Sequence, residues 1–231
     1  MNINHHPDET TILSYAAGTL DEAFAVIISC HLQICSTCRE AVKTAELIGG
    51  SHLEQSEEAP LSQGSFGRLL EKISVEPKAE NTQAQSSASQ SNETNQATLN
   101  PEWSELPLAL QSYLTANIDE IKWKRLAPGV SHHPIKLSEN ANSSLRLLRI
   151  AKGKQMPEHG HNGHELTLIL QGAYKDKFGT FAKGDIADLD DDVEHQPKVI
   201  SDEDCICLAA TEAPTKFKSL LGRILQPIVG I

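Results

Sequence analysis

Three side chains of the kind that bind metals lie close together near the start of the chain. His31, Cys35 and Cys38 are separated by four and three positions, and His5 and His6 precede them. Residues with this spacing share one face of a helix or meet across a tight corner between two helices. Two thiolates and two imidazoles form the Cys2His2 sphere that closes a structural Zn²⁺ site. We therefore predict a zinc site, with either His5 or His6 as its fourth ligand.

A thiol redox pair is the alternative interpretation of Cys35 and Cys38, because a Cys-x-x-Cys motif also supports disulfide exchange. Such a motif is expected beside a strand–helix–strand unit. The sequence on both sides of these cysteines has helical periodicity instead, and this favours metal binding.

A second group of metal-type side chains lies in the later half of the chain. His159 and His161 are two positions apart, so both imidazoles point to one face of a strand, and Glu165 can return a carboxylate to the same point. His195 would arrive from a later strand. Imidazole and carboxylate ligands suit Zn, Fe, Mn or Ni, and the spacing does not choose among them. A solvated histidine-rich loop is the alternative.

Helical patterns surround the first group and fill residues 8–75. Residues 19–22 form a capping-box pattern that predicts a helix start, and apolar residues continue this helix to His31. Gly18 is expected to end the helix before it. A third helix is expected to end at the pair Gly49-Gly50, because glycine favours the left-handed conformation of a helix stop.

The fourth predicted helix, over residues 65–75, has one apolar face. Its large apolar residues recur at helical spacing, and they are Phe66, Leu69, Leu70 and Ile73. The simplest expectation for this face is packing against the first three helices.

A polar tract separates the helical region from the rest of the chain. Residues 76–100 contain almost no large apolar side chains, so burial cannot offset the entropy cost of ordering them. We predict a flexible linker here, between a helical domain at residues 1–75 and a second domain at residues 101–231.

Short apolar runs broken by Gly, Pro and Asp characterise the second domain. Their length and regular spacing predict an all-β barrel or sandwich. The predicted strands are residues 145–150, 165–170, 173–178 and 205–210, and residues 217–231 are expected to cap the barrel. The predicted fold class is α+β, with a small all-α zinc-binding domain followed by an all-β barrel.

The formal net charge of −11 repels nucleic-acid phosphates and favours a basic protein partner. We therefore expect no direct contact with nucleic acid. No apolar run approaches the ~18–20 residues that a membrane span needs, and the first residues lack a secretory pattern. A cytoplasmic protein with no membrane contact is expected.

The five cysteines, an odd number, fit a reducing compartment better than a disulfide framework. Cys205 and Cys207 alternate on a predicted strand and so face the same side. We interpret them as two small buried residues, with an oxidant-responsive pair as the alternative. Cys30 has no assigned role.

The second half resembles a cupin. The first cupin motif, G-x5-H-x-H-x3-E-x6-G, is matched in full, and His195 takes the place of the second-motif histidine; the matching residues are Gly153, His159, His161, Glu165 and Gly172. The turn from Phe181 to Asp185 also resembles the family, although the usual proline is replaced and the asparagine after the second-motif histidine is missing. The resemblance implies a cupin barrel whose two-motif ligands hold a second divalent metal, expected to be zinc.

The first half resembles the zinc-binding anti-sigma domain, through His6, His31, Cys35 and Cys38. The order of anti-sigma domain, linker and cupin resembles the ChrR type of anti-sigma factor. The resemblance implies that the helical domain holds an extracytoplasmic-function sigma factor inactive. It also implies that the cupin domain is needed for release under singlet oxygen or hydroperoxide. The fourth helix is then the candidate element that inserts into the sigma factor.

A cupin metalloenzyme of the dioxygenase or isomerase type, with an accessory zinc-binding interaction domain, is the competing function. Its metal centre would need further acid, base or nucleophile groups. The acidic run of Asp188, Asp190, Asp191 and Asp192 is interpreted as a solvated turn. We therefore expect a regulator and not an enzyme.

Overall fold

The structure, a computed structural model, describes residues 2–75, 106–114, 120–160, 163–191, 193–213 and 216–217. The predicted linker and the part of the predicted cap beyond Phe217 lie outside these residues. No helix in the described ranges is long and apolar enough to cross a membrane.

Helices come first in the chain and strands follow, so the predicted α+β fold class is confirmed. The fourth helix has the predicted limits. The helices in the described part of the chain are α1 (Glu9–Ala16), α2 (Glu22–Leu32), α3 (Ser36–Glu54), α4 (Ser65–Val75) and the single-turn α5 (Leu108–Gln111).

Aspartates cap the first two helices. Asp8 accepts a hydrogen bond from the Thr11 backbone N–H at the start of α1, and Asp21 accepts one from Ala23 at the start of α2. The helix cap is therefore Asp21 and not Thr19, the residue that the capping-box pattern implied. An aspartate caps a helix as well as threonine does, so two overlapping cap patterns competed in this stretch.

The prediction that α3 ends at Gly49-Gly50 was wrong, because the helix continues through both glycines to Glu54. Glycine in a helix interior costs only about 1 kcal/mol relative to alanine. A helix that already has three turns before the glycines tolerates that cost. By contrast, Gly18 follows α1 with a φ of 68°, which agrees with the predicted stop.

Antiparallel strands form the second half of the fold. A six-stranded sheet has the order β1-β2-β3-β10-β5-β8, a three-stranded sheet the order β7-β6-β9, and β11 pairs with β4. The strands are β1 (Lys124–Ala127), β2 (Val130–Ile135), β3 (Ser144–Ile150), β4 (His159–Gly160), β5 (Glu165–Gln171), β6 (Ala173–Lys175), β7 (Thr180–Ala182), β8 (Ile186–Leu189), β9 (Lys198–Val199), β10 (Cys205–Thr211) and β11 (Lys216–Phe217). Three of the four predicted strands agree within a residue, and the strand predicted over 173–178 ends early at Lys175.

Helix α2 covers the outer face of the six-stranded sheet. Phe24, Ile27 and Ile28 are buried in one hydrophobic cluster with alternate residues of the central strands. Those strand residues are Leu145, Leu147, Leu166, Leu168, Leu170, Ile186, Ile206, Leu208 and Ala210. Each large apolar side chain buried in this way contributes about 1.5–3 kcal/mol. The helix is therefore part of the core that stabilises the sheet.

The other face of the same strands lines the interior between the two larger sheets. Ile150, Ile169 and Cys207 from the six-stranded sheet pack there with Tyr174 and Phe181 from the three-stranded sheet. Successive side chains of β5 therefore point to opposite faces of the sheet, one towards α2 and the next towards the barrel interior.

Two acidic residues attach the start of α2 to the loop before β3. Asp21 accepts from the Asn142 backbone N–H at 2.8 Å, and Glu22 accepts from the Ser138 backbone N–H at 3.0 Å. Burial alone would raise the pKa of Asp21, but the hydrogen bonds from Ser143 and Asn142 outweigh it and lower the pKa. The hydrogen bond from the Ser138 hydroxyl lowers the pKa of Glu22. Both carboxylates are therefore held in their charged form.

Asp188 of β8 holds the start of α1. Its Oδ2 accepts from the Asp8 backbone N–H at 3.0 Å and from the Thr11 hydroxyl at 3.1 Å, while its Oδ1 lies 2.5 Å from His164 Nε2. Burial opposes the charge of Asp188, but the hydrogen bonds from His164 and Asp8 outweigh burial and lower its pKa. Asp188 is thus a partly buried strand residue, whereas a solvated turn was expected. Asp190 and Asp191 are exposed as expected, and Asp192 lies outside the described residues.

The chain divides into two compact units. One combines Met1–Gly49 with Leu99–Ile231, and the other is Gly50–Thr98, which contains the end of α3 and all of α4. The predicted domain limits at residues 75 and 100 stay a prediction.

Candidate functional site

Four metal-type side chains converge at the corner between α2 and α3. His6, His31, Cys35 and Cys38 each place one ligand atom within 4.8 Å of the other three. His6 comes from the segment before α1, His31 from the last turn of α2, and the cysteines from the corner and the first turn of α3. This cluster could hold a metal ion.

The distances between ligand atoms suit a tetrahedral ion. His31 Nε2 lies 3.3 Å from Cys38 Sγ, and His6 Nδ1 lies 3.4 Å from the Sγ atoms of both cysteines. Zn–N bonds of about 2.05 Å and Zn–S bonds of about 2.3 Å at tetrahedral angles place nitrogen and sulfur ligands about 3.5 Å apart. The donor set and its spacing therefore fit zinc.

The hydrogen bond of His31 fixes which of its nitrogens can bind the ion. His31 Nδ1 lies 3.0 Å from the Gly184 carbonyl oxygen, which can only accept, so Nδ1 carries the proton. The Nε2 lone pair is then directed towards Cys38 and the centre of the cluster. Metal-binding histidines commonly use such an outer hydrogen bond.

Burial favours the neutral forms of two of the four side chains. It lowers the pKa of His31 to about 4. Burial, with a contribution from the neighbouring Cys35, raises the pKa of Cys38 to about 12. The Cys38 thiol is therefore protonated near neutral pH without metal, and a bound cation must displace that proton.

The two candidate histidines for the fourth position lie in different environments. His6 joins the cluster, whereas His5 Nδ1 lies 3.4 Å from Asp185 Oδ2 and the His5 ring packs on Phe181 at 4.2 Å. The spacing alone left both open, and the geometry favours His6.

Two of the four predicted barrel ligands also meet. His159 Nε2 and His195 Nε2 are 3.0 Å apart. Backbone hydrogen bonds fix this pair, because each residue donates its N–H to the carbonyl of the other, at 3.1 Å and 2.9 Å. Both side chains are buried.

The hydrogen bonds at the far side of these rings turn both Nε2 lone pairs towards each other. His159 Nδ1 lies 2.8 Å from the Pro157 carbonyl, and His195 Nδ1 lies 3.0 Å from Asp176 Oδ2. Both acceptors require a proton on Nδ1, so two neutral rings would place two lone pairs 3.0 Å apart. A cation between them would remove this conflict, and tetrahedral zinc with bonds of about 2.1 Å places two nitrogens about 3.4 Å apart, slightly farther than they lie here.

Of the other two predicted barrel ligands, only Glu165 is among the described residues. Glu165 lies on the inner face of β5, where its Oε1 accepts from the Thr167 hydroxyl at 3.2 Å. Burial lowers the pKa of Arg146, and the negative charge of Glu165 acts in the opposite direction and raises it. His161 lies outside the described residues. Among the residues that the structure describes, three or more metal-type donors converge only at the N-terminal cluster.

The remaining cysteines are buried thiols. Cys205 and Cys207 face the barrel interior, and burial raises the pKa of Cys205 to about 12. Burial also raises the pKa of Cys30, on α2, to about 12. Protonated, buried thiols react slowly with oxidants, which favours a packing role for all three.

An open cleft of about 560 Å³ lies beside the histidine pair. His195 and Asp176 are in its wall, and the other lining residues include three lysines and two glutamates: Lys175, Lys177, Lys198, Glu158 and Glu194. A small molecule could reach His195 from this side of the barrel.

Three residues near the two sites were not singled out as site residues from the sequence. Gly184 contacts His31 and Asp185 contacts the segment before α1, although only their resemblance to a cupin turn was visible. Asp176 orients His195 from the end of β6, and no sequence signal could have identified it, because only the pairing of distant strands brings the two together.

Comparison with known proteins gives three concordant results. Residues 111–214 match the family described as the ChrR cupin-like domain. The chain is 35 % identical over 231 residues, all of both proteins, to anti-sigma-E factor ChrR of Cereibacter sphaeroides. The structure is similar to ChrR in a crystal structure of Rhodobacter sphaeroides SigE in complex with the anti-sigma ChrR, with a TM-score of 0.71 and 32 % identity. That match covers 91 % of this chain and 99 % of the other.

Proposed function

Because the chain belongs to the ChrR family of anti-sigma factors, we propose that it binds an extracytoplasmic-function sigma factor and keeps it from RNA polymerase. The observation that carries this proposal is the 35 % sequence identity to an anti-sigma factor over the full length of both proteins. The structural similarity to ChrR in its complex with SigE supports it. The proposed site of action is the cytoplasm, with no contact to membrane or nucleic acid.

The apolar face of α4 supports a protein partner. Phe66 is 71 % exposed, Leu69 54 %, Leu70 50 % and Ile73 65 %. A helix that exposes four large apolar side chains at helical spacing has the form of a segment that docks into a groove of another protein. The expected packing of this face against the first three helices stays a prediction.

Charge complementarity favours the same class of partner. A protein with a net charge of −11 is attracted to the basic surfaces with which sigma factors approach DNA. It would compete with promoter DNA for those surfaces without contacting DNA itself.

We assign zinc to the cluster of His6, His31, Cys35 and Cys38, in a structural role. An ion at this point joins the segment before α1 to both α2 and α3. Structural zinc stabilises small helical regions that bury little apolar surface on their own.

The barrel is proposed as the sensor that relieves inhibition under singlet oxygen or hydroperoxide. Its proposed metal ligands are His159, His161, Glu165 and His195, with zinc as the second divalent metal. The cleft beside His195 supports access by a small oxidant. A change at the histidine pair would reach α2 through the strands that this helix covers.

The same cleft is the one observation that favours the second candidate function, a cupin metalloenzyme of the dioxygenase or isomerase type. Family membership favours the regulator, so we propose that the chain is not an enzyme. A sigma-factor gene beside the gene for this chain would support the regulator, and a metabolic operon would support the enzyme.

Alanine substitutions on α4 test the anti-sigma function. Leu69→Ala with Leu70→Ala should weaken binding of the purified full chain to its sigma factor about 30-fold or more, since buried interface anchors contribute about 2 kcal/mol or more. Both residues are at least half exposed in the free chain, so the fold should change little.

The matched control is Glu71→Ala with Lys72→Ala, on the same helix, where binding should stay within about threefold. Equal affinity for both double variants would show that α4 does not carry the interface.

A further inference from the structure

The N-terminal ligands are held in place by one turn of the barrel. We propose that the turn at Gly184-Asp185, between β7 and β8, positions His31 and His6, so that the metal affinity of the cluster depends on the barrel. This inference rests on the proposed metal binding by the cluster.

Asp185 fixes the backbone next to His6. The side chain is only 1 % exposed, and its Oδ1 accepts from the backbone N–H groups of Asn4 at 2.7 Å and His5 at 3.1 Å. The next residue of the barrel continues the contact, because the Ile186 N–H donates to the His5 carbonyl at 3.2 Å. Three hydrogen bonds therefore set the path of the chain immediately before His6.

Gly184 fixes the second ligand from the same turn. Its carbonyl accepts from His31 Nδ1 at 3.0 Å. A positive φ of 94° directs the backbone at this point, a conformation that favours glycine. The carbonyl thus sets both the ring orientation and the tautomer of a buried ligand.

The turn is rigid enough for this role. Asp185 Oδ2 accepts from the Ala182 N–H at 2.9 Å, and the Gly184 N–H donates to the Ile169 carbonyl at 2.8 Å. Ile169 belongs to β5, and its side chain packs inside the barrel. A change within the barrel that moves this turn would therefore move two metal ligands.

Linkage makes the coupling reciprocal. If contact with the turn strengthens metal binding, metal binding strengthens contact with the turn by the same factor. Loss of the N-terminal metal should then release the segment before α1 from the barrel.

Asp188 offers a matched control on the same surface. It also accepts a backbone N–H of the N-terminal segment, from Asp8, and it bonds Thr11. Both carboxylates attach the segment to the barrel, but only Asp185 bonds the residue next to a ligand. Variants of Asp185 and Asp188 therefore show whether the metal affinity depends on the position of the ligands or only on the attachment of the segment to the barrel.

The experiment measures Co²⁺ bound by the metal-free full chain. Thiolate-to-cobalt charge-transfer absorption reports the cluster with two cysteines and not a site of imidazole and carboxylate. Asp185→Ala should weaken Co²⁺ binding about 10-fold, the lower end of the range for loss of an outer hydrogen-bond partner, because Asp185 positions the backbone before His6 and does not bond a ligand directly; it should also shift the d–d bands. Asp188→Ala should leave affinity within about threefold and the bands unchanged.

Two further variants keep the test valid if Asp185→Ala folds poorly. Asp185→Asn retains an oxygen that can accept from Asn4 and His5, and should restore most of the affinity. Asn4→Pro removes the backbone N–H that donates to Asp185 without altering the barrel, and it should also weaken Co²⁺ binding.

The outcomes are distinguishable. No thiolate–cobalt band in the unaltered chain would refute metal binding by the cluster itself. A normal band with equal losses for the Asp185 and Asp188 variants, or with no loss for either, would overturn the positioning role and leave metal binding intact.

Discussion

The N-terminal cluster and the barrel histidine pair differ in how completely their ligands converge. Four donors meet in the first, and all lie between residues 6 and 38. Among the residues that the structure describes, two donors are seen to meet in the second, from β4 and from the segment before β9. Helical spacing gathers ligands locally, whereas strands gather them only once the whole sheet has formed. The barrel nevertheless supplies the outer hydrogen bonds at both places, through Gly184 at the first and Asp176 at the second.

The largest expected effect is loss of the cluster metal. Cys38→Ala should remove the N-terminal metal from the chain, because structural zinc sites contribute on the order of 10 kcal/mol in apparent binding free energy. Metal content per chain measures this directly. Cys205→Ala is the control, since Cys205 is also buried but lies in the barrel interior, and it should retain the metal. Metal loss in both variants would mean that general unfolding, and not ligation, is being measured.

A smaller effect tests whether the helical region and the barrel are energetically separate. Ile27→Ala, in the middle of α2, should lower the free energy of unfolding by about 2–5 kcal/mol, because Ile27 is buried against the sheet. Barrel and helix signals should shift together in chemical denaturation. Leu13→Ala, at a side chain that is 55 % exposed, should change stability by less than about 0.5 kcal/mol. If Ile27→Ala leaves the denaturation midpoint of the barrel signal unchanged, the helical region and the barrel unfold independently.

The barrel pair can be tested against a neighbouring histidine. His195→Ala should abolish binding of a divalent metal to the barrel, and Asp176→Ala should weaken it about 10–100-fold. His164→Ala should have no effect on barrel metal, because His164 bonds Asp188 and stacks on Phe24 of α2. The opposite pattern, with metal lost from His164→Ala and kept by His195→Ala, would refute the ligand assignment.

The smallest effect is a pH dependence at the attachment of α2. The pKa values of Asp21 and Glu22 are lowered in the folded chain. Their contribution is therefore fully present above about pH 4.5 and is lost as pH falls through the lowered values. Asp21→Asn with Glu22→Gln should reduce stability at neutral pH and flatten its decline in acid. Denaturation curves between neutral pH and pH 3 measure the slope, and an unchanged slope would contradict the assignment.

Local patterns predicted most of the N-terminal cluster and the fourth helix, because spacing of three and four residues is a property of the helix itself. The sequence could not predict that α2 is buried by the sheet, since Phe24, Ile27 and Ile28 would look the same in an independent helical bundle. The sequence also did not show that α3 continues through Gly49-Gly50. The free-energy cost of two glycines is small compared with the stability of a helix that is already several turns long. Asp176 and Asp185 act across distant parts of the chain, and neither stands at a recognisable spacing from its partner.

Binding to the sigma factor compares the two sites most directly. The full chain with Cys35→Ala and Cys38→Ala should lose affinity for its sigma factor by about 100-fold or more, because the helical domain proposed to hold the sigma factor depends on this zinc for its fold. The full chain with His159→Ala and His195→Ala should bind within about threefold of the unaltered protein and lose only the response to oxidant. Normal binding by the cysteine variant, or loss of binding by the histidine variant alone, would contradict the account.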